Sequence, residues 1–365
     1  MLYPAVRALE AAACSRVFFL TSRGTGAHAA RDALARMDPT GEWLRQIRIV
    51  AREQACRIDG AACDPGSCPR AIGYYDRSRA ALRALLDHHA MTEDTVASVA
   101  AAHSVCPHEL ALDAALWSDV VIGDYNYVFD PVVRLQRFAG ERTAALLIDE
   151  AHQLAPRVRE MLSLTLGFDT LRAALDESPP AALVRRIEGV ARQFRKLARA
   201  MPGAAGRSDE GWQESAIEAP ASLLRALARF SDTVVREGIQ LDAWPATRAL
   251  YFDAVRWVRD GAPDDAPRWL HTIRIGPRAT RDIAVSLECL DPGPWIAERL
   301  GEYGGHVRFS GTVSPLSLYQ VLHGLPEAVA ERAGNPFEPA QLAVLIVDDL
   351  PTYLRARSQS LDRLV

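Results

Sequence analysis

The chain has 365 residues, enough for two or three domains and a sizeable core. Hydrophobic residues make up 49% and charged residues 24%, the balance of a soluble globular protein, and no apolar run approaches the roughly 20 residues of a membrane span. A formal net charge of −4 excludes wholesale electrostatic attraction to nucleic acid, so any basic surface must be local.

The start, Met1-Leu2-Tyr3-Pro4-Ala5-Val6-Arg7, lacks a basic region followed by an apolar core and does not read as a signal peptide. A first apolar run, Val17–Leu20, predicts a strand, and a helical pattern follows over Ala29–Met37. Ile47–Val50 predicts a second strand. A Gly/Pro/Asp-rich loop spans Cys56 to Pro69, with a helix predicted over Arg77–Asp87. Val120–Ile122 and Ala145–Ile148 predict two more strands. From about Arg157 to Arg281 the pattern is almost wholly helical. Leu223, Leu227, Phe230 and Val234 recur at helical spacing, and Pro202 to Pro220 reads as a loop. Val307–Ser310 and Ala343–Val347 close the strand list. Strands alternating with helices argue for a mainly parallel α/β sheet.

The strand Ala145–Ile148 runs directly into Asp149-Glu150-Ala151-His152. Ligands of open α/β sheets bind at the carboxyl ends of strands. There an Asp can hold Mg²⁺ on nucleotide phosphates, and a neighbouring Glu can orient or deprotonate the attacking water. A P-loop of the form GxxxxGK[ST] is absent from these residues. Lys196 is the one lysine and sits in an Arg-rich helix without glycines. Arg23-Gly24-Thr25-Gly26-Ala27-His28 is a Gly-containing turn and no substitute.

Six cysteines occur. Cys56, Cys63, Cys68 and Cys106 form the spacing C-x6-C-x4-C-x37-C, the first three in the Gly/Pro/Asp-rich loop. Three readings stay open. Structural zinc usually shows close C-x2–4-C pairs. A four-thiolate iron–sulfur cluster fits the unequal spacing and the Cys106-Pro107 step. Unrelated thiols are the third, and disulfides are disfavoured in a cytosolic enzyme. Cys14 and Cys289 lie among apolar residues, as buried small hydrophobes do.

The cysteine loop, Gly73-Tyr74-Tyr75-Asp76, Cys106-Pro107, the stretch Asp119 to Pro131 and Asp149-Glu150-Ala151-His152 occur in one order. Together they resemble the XPD/DinG-like superfamily 2 DEAH-box DNA helicases that carry a [4Fe-4S] cluster. Val17 to Arg23 resembles that family's motif Ia. Arg308-Phe309-Ser310-Gly311-Thr312-Val313-Ser314-Pro315 resembles its motif III, with Gly311 in place of the usual Ala.

The resemblance implies a RecA-like motor domain interrupted by two insertions. Its parts would be 1–51 (motor), 52–116 (iron–sulfur insertion), 117–156 (motor, D-E-A-H strand), 157–281 (helical, Arch-like), 282–335 (motor, motif III) and 336–365 (start of a second motor domain). It implies an ATP-dependent 5′→3′ helicase acting on single-stranded or forked DNA. The expectation is a partial core, its P-loop lying before Met1, or a degenerate relative.

Residue roles follow from the same resemblance. Asp149 would bind Mg²⁺ with ATP, Glu150 would act on water, and His152 would couple the nucleotide site to Ser310 and Thr312. Cys56, Cys63, Cys68 and Cys106 would ligate the cluster. Arg23, Arg70, Tyr74, Tyr75 and Arg77 would contact DNA through cations and stacking rings. Blander readings stand beside these: His152 as a helix-start histidine, and Tyr74 and Tyr75 as core packing. Tyr125 and Tyr127 would stack on DNA or, preferably, fill the boundary between motor and insertion. Arg185, Arg186, Arg192, Arg195, Lys196 and Arg199 read as a solvated helix face or a phosphate track. Alternatives to the helicase are a non-catalytic iron–sulfur module binding single-stranded DNA or a partner, and a zinc-stabilised α/β hydrolase. High Ala and Arg with a single Lys points to a GC-rich genome, hence a bacterial, cytoplasmic protein.

Overall fold

The computed structural model describes every residue except 59–62, 64–65, 201–212, 262–267, 278–280, 335–337, 342, 344–352 and 354–365. Residues 1–327 form one compact unit. Residues 328–365 form another, whose described part contains a short 3-10 helix at Pro339–Gln341. The strand expected at Ala343–Val347 lies, apart from Ala343, outside the described residues.

The chain begins with α1 (Leu2–Glu10), β1 (Arg16–Leu20), α2 (Gly24–Met37) and β2 (Gln46–Arg48). The cysteine-bearing region adds α3 (Arg52–Ala55), α4 (Tyr74–Leu86), β3 (Ala90–Met91), α5 (Glu93–Ala102) and α6 (Pro107–Ala115). Then come β4 (Val120–Gly123), α7 (Asn126–Phe129), β5 (Ala144–Ile148) and α8 (Leu154–Leu162). Next come β6 (Leu164–Gly167), α9 (Phe168–Asp176), α10 (Ala181–Ala200), β7 (Gln213–Ile217), α11 (Ala221–Arg236), α12 (Pro245–Asp260), β8 (Trp269–Ile275) and β9 (Ile283–Cys289). The unit closes with α13 (Gly293–Leu300), β10 (Gly305–Arg308) and α14 (Leu316–Leu322).

Six strands form a parallel sheet in the order β10-β5-β1-β4-β2-β3, the RecA-like sheet that the motifs imply. Its central strands are apolar at nearly every position because both faces are covered. Val-Val-Ile-Gly of β4 is buried throughout. Successive side chains of β1 serve opposite layers. Phe18 packs edge-on against Phe138 at 5.1 Å and Tyr303 at 5.8 Å, whereas Phe19 meets Phe309 at 6.1 Å on the other face. Because the strands are parallel, the carboxyl ends of β1, β4, β5 and β10 lie along one edge. That edge collects Thr21–Arg23, Gly123–Tyr125, Asp149–His152 and Phe309–Thr312.

The region 157–281 is mostly helical, but it also contributes to a four-stranded antiparallel sheet, β6-β9-β8-β7, that the sequence reading lacked. Helices α9 to α12 pack on it around Phe194, Phe230 and Trp257. The stripe Leu223, Leu227, Phe230 and Val234 is buried there, as its spacing required. The last strand of the parallel sheet also differs. Pairing runs over Gly305–Arg308, and Ser310 lies beyond it, in the turn that follows the bond from Phe309 N to Ile148 O. No helix among the described residues is long and apolar enough to cross a membrane.

Candidate nucleotide site and cysteine loop

β5 delivers Asp149 and Glu150 to the carboxyl edge of the sheet, and Glu150 breaks the strand by adopting the left-handed conformation, φ 51° and ψ 42°. Thr21, one residue past β1, donates its hydroxyl to Asp149 Oδ2 at 3.3 Å. Gly26, in the first turn of α2, lies so close that a Cβ there would stand 2.7 Å from Asp149 Oδ2. Burial is the main cause that raises the Asp149 carboxyl above its ordinary pKa, and the Glu150 charge adds to it.

Glu150, His152, Ser310 and Thr312 form one hydrogen-bonded cluster between β5 and β10. Ser310 Oγ donates to Glu150 Oε2 at 2.9 Å. With its proton on Nδ1, His152 donates to Ser310 Oγ at 2.9 Å and shares that proton with Thr312 Oγ1 at 3.0 Å. The Thr312 amide also reaches Ser310 Oγ at 3.2 Å. This arrangement orients one carboxylate and ties its position to the loop after β10. A carboxylate so held can align a water, and its neighbour Asp149 is free to face a cation.

Two participants were not singled out from the sequence. Gly26 and Thr21 flank Asp149, and Tyr125 sits beneath it. Tyr125 was expected to fill a boundary or to stack on DNA. It is 0% exposed, and its hydroxyl donates to the main-chain carbonyl of Asp149, with the Glu150 carbonyl 3.0 Å away. The usable signal was a tyrosine two residues after a fully buried strand, since a buried phenol needs a partner. Tyr127 is instead a half-buried ring packed on the core, and burial pushes its phenol up to about 12.

The cysteine loop is organised by Arg77. Its guanidinium donates to the carbonyls of Ile72 at 2.7 Å, Ser104 at 3.0 Å and Pro69 at 3.3 Å, which sews the Cys68 segment to the approach to Cys106. Arg77, expected as a DNA contact, thus serves as a loop tie in this structure. Tyr74 follows the core-packing reading. It is 7% exposed, and its hydroxyl donates to Asp113 at 2.8 Å, so its ring is core. Tyr75 is 87% exposed. Arg70 is half-buried and Arg23, at the N-terminal end of α2, is exposed.

Cys56, Cys63, Cys68 and Cys106 are free thiols, Cys63 exposed and the others half-buried. Cys106 caps the start of α6. Burial raises its pKa, and the Cys63 charge contributes, so these two lie within electrostatic reach. Among the described residues, however, no group of three or more His, Cys, Asp or Glu side chains is placed to hold a metal ion. On α10, Arg186 donates to Thr233 at 3.1 Å and Arg195 lies over the Phe168 ring at 5.0 Å. Arg185, Arg192, Lys196 and Arg199 are exposed on that helix.

Residues 42–171 match the DEAD_2 family model. A 72-residue stretch is 31% identical to the Fanconi anemia group J protein homolog of Gallus gallus, covering 20% of this chain and 6% of that protein. The solved structure described as Truncated XPD superposes with a TM-score of 0.51 at 14% identity, over 89% of each chain, a likeness of fold. A second, XPD_Helicase, gives 0.44 at 14% identity over 88% of this chain and 59% of that one.

Proposed function

We propose that this chain, which resembles the XPD/DinG-like superfamily 2 DNA helicases in its motifs and its sheet, is the part of such an enzyme that binds single-stranded DNA and carries the water-activating carboxylate. The observation that carries the reading is the cluster of Glu150, Ser310, His152 and Thr312 across two adjacent strand ends, beside Asp149. Asp149 would face Mg²⁺ on ATP, and Glu150 would orient the hydrolytic water. His152 would report the state of the site to the loop after β10. Movement with 5′→3′ polarity follows the resemblance. Arg23, Arg70 and Tyr75 are the candidate DNA contacts that remain accessible, on single-stranded or forked substrates.

These 365 residues hold no GxxxxGK[ST] loop, and that favours a second reading for the chain acting alone: it binds DNA without turning over ATP. Hydrolysis by Asp149 and Glu150 then needs the phosphate-binding loop to be supplied. The test is ATP hydrolysis with and without single-stranded DNA, alongside DNA affinity. Hydrolysis abolished by Glu150→Gln supports the enzyme. DNA binding without hydrolysis supports the module. Neither activity defeats both.

The four cysteines would hold a [4Fe-4S] cluster, a reading supported by four free thiols in the family's order. A cluster there would cross-link the segment from Cys56 to Cys106 and stiffen it against the sheet. Domain limits at 52–116 and 157–281 belong to the same reading.

A further inference from the structure

The D-E-A-H turn contains a backbone conformation that needs a restraint. Glu150 is in the left-handed region, which costs a non-glycine residue roughly 1–2 kcal/mol and persists only when its surroundings over-determine it. The Tyr125 hydroxyl supplies such surroundings. It meets the carbonyl of Asp149, which belongs to the peptide plane before the Glu150 Cα, and the carbonyl of Glu150, which belongs to the plane after it. One oxygen thus restrains both soft torsions of Glu150. The ring itself is fully buried in the core.

We infer that Tyr125 is the positioning residue for Glu150: its hydroxyl clamps the peptide planes on either side of Glu150 and so aims that carboxylate at Ser310 and the water site. This rests on the proposed role of Glu150. It adds that a residue between β4 and α7, which touches no substrate, sets the geometry of the turn.

Tyr125→Phe removes the oxygen and keeps the ring. Amide exchange at Ala151 and Gln153 is expected to rise roughly tenfold, as for loss of one hydrogen bond, with amides of β1 and β4 unchanged. If the wild-type chain hydrolyses ATP, kcat should fall about tenfold or more while KM stays within about twofold, the pattern of an interaction made in the transition state. Replacing Tyr125 by 4-aminophenylalanine restores a donor and should recover both readouts. Unchanged exchange at the turn overturns the inference whatever the activity. So does unchanged kcat in an active chain, or a Phe variant that loses its cooperative unfolding transition altogether. A wild-type chain without hydrolysis counts against the enzyme reading alone, and exchange at the turn then decides the clamp.

Discussion

Ser310 donates its hydroxyl to Glu150 Oε2 at 2.9 Å and thereby joins the loop after β10 to the end of β5. With its proton on Nδ1, His152 donates to that Ser310 Oγ at 2.9 Å, so the bonds form a relay rather than separate contacts. Members of one network couple by about 0.5–3 kcal/mol, whereas independent sites add. His152→Ala and Ser310→Ala should therefore be non-additive in urea unfolding, with a coupling of about 1 kcal/mol. Strict additivity would show that the two side chains merely lie close.

Gly26 gives a prediction whose sign discriminates. Ala in place of Gly within a helix ordinarily stabilises by about 1 kcal/mol. Here a Cβ would stand 2.7 Å from Asp149 Oδ2 and still closer to the Thr21 hydroxyl, and Thr21 is buried at the end of β1. Overpacking of this kind costs about 1–3 kcal/mol. Gly26→Ala should thus lower the urea midpoint, and Thr21→Ala on that background should restore part of it. A raised midpoint in the single variant would mean the carboxylate moves aside freely.

Acid should destabilise the fold before the carboxylates titrate. His323, 2% exposed at the end of α14, has its pKa pushed down to about 4, chiefly by burial and then by Arg308. An unfolded His titrates near 6.5. Between those values the unfolded chain binds the proton and the folded chain does not, so stability falls as pH drops below 6.5 and the loss levels off near 4. The full effect is at most about 3 kcal/mol. Burial also lowers the pKa values of His108 and His306, which adds to the slope. His323→Gln should flatten the pH dependence of the unfolding free energy between 6.5 and 4. An unchanged slope would place the acid sensitivity in those other histidines.

How legible each part was follows from burial. β1, β4 and β5 were readable because both faces are covered and almost every residue is apolar. β7, Gln-Glu-Ser-Ala-Ile, is an exposed, polar edge strand that exists through its pairing with β8, so no local pattern announces it. β6 has four residues wedged between two helices. At the site, the order Asp149-Glu150-Ala151-His152 stood out at the end of β5, and the structure brings Ser310 and Thr312 to Glu150 and His152. The bonding of Tyr74, Tyr125 and Arg77 was not legible for one reason: their polar tips satisfy carbonyls or a carboxylate inside the fold, and composition around a loop does not reveal which groups are already bonded.

The cysteines carry the last prediction. Protein purified without oxygen should contain iron and acid-labile sulfide together. Cys106→Ser should lose both, because Cys106 is the one ligand candidate outside the loop and is fixed at the start of α6. Cys289→Ser should lose neither, since Cys289 is buried in the core at the end of β9, paired with Trp269 of β8, and its thiol is pushed up to about 11. Closing the segment from Cys56 to Cys106 is worth roughly 4 kcal/mol if the chain-entropy account of cross-links carries over to a cluster. Cys106→Ser should then lower the unfolding midpoint by far more than removing one half-buried thiol would. Zinc without sulfide would replace the cluster by a structural metal site, and neither metal would leave Arg77 and its three carbonyls as what holds the loop to Ser104.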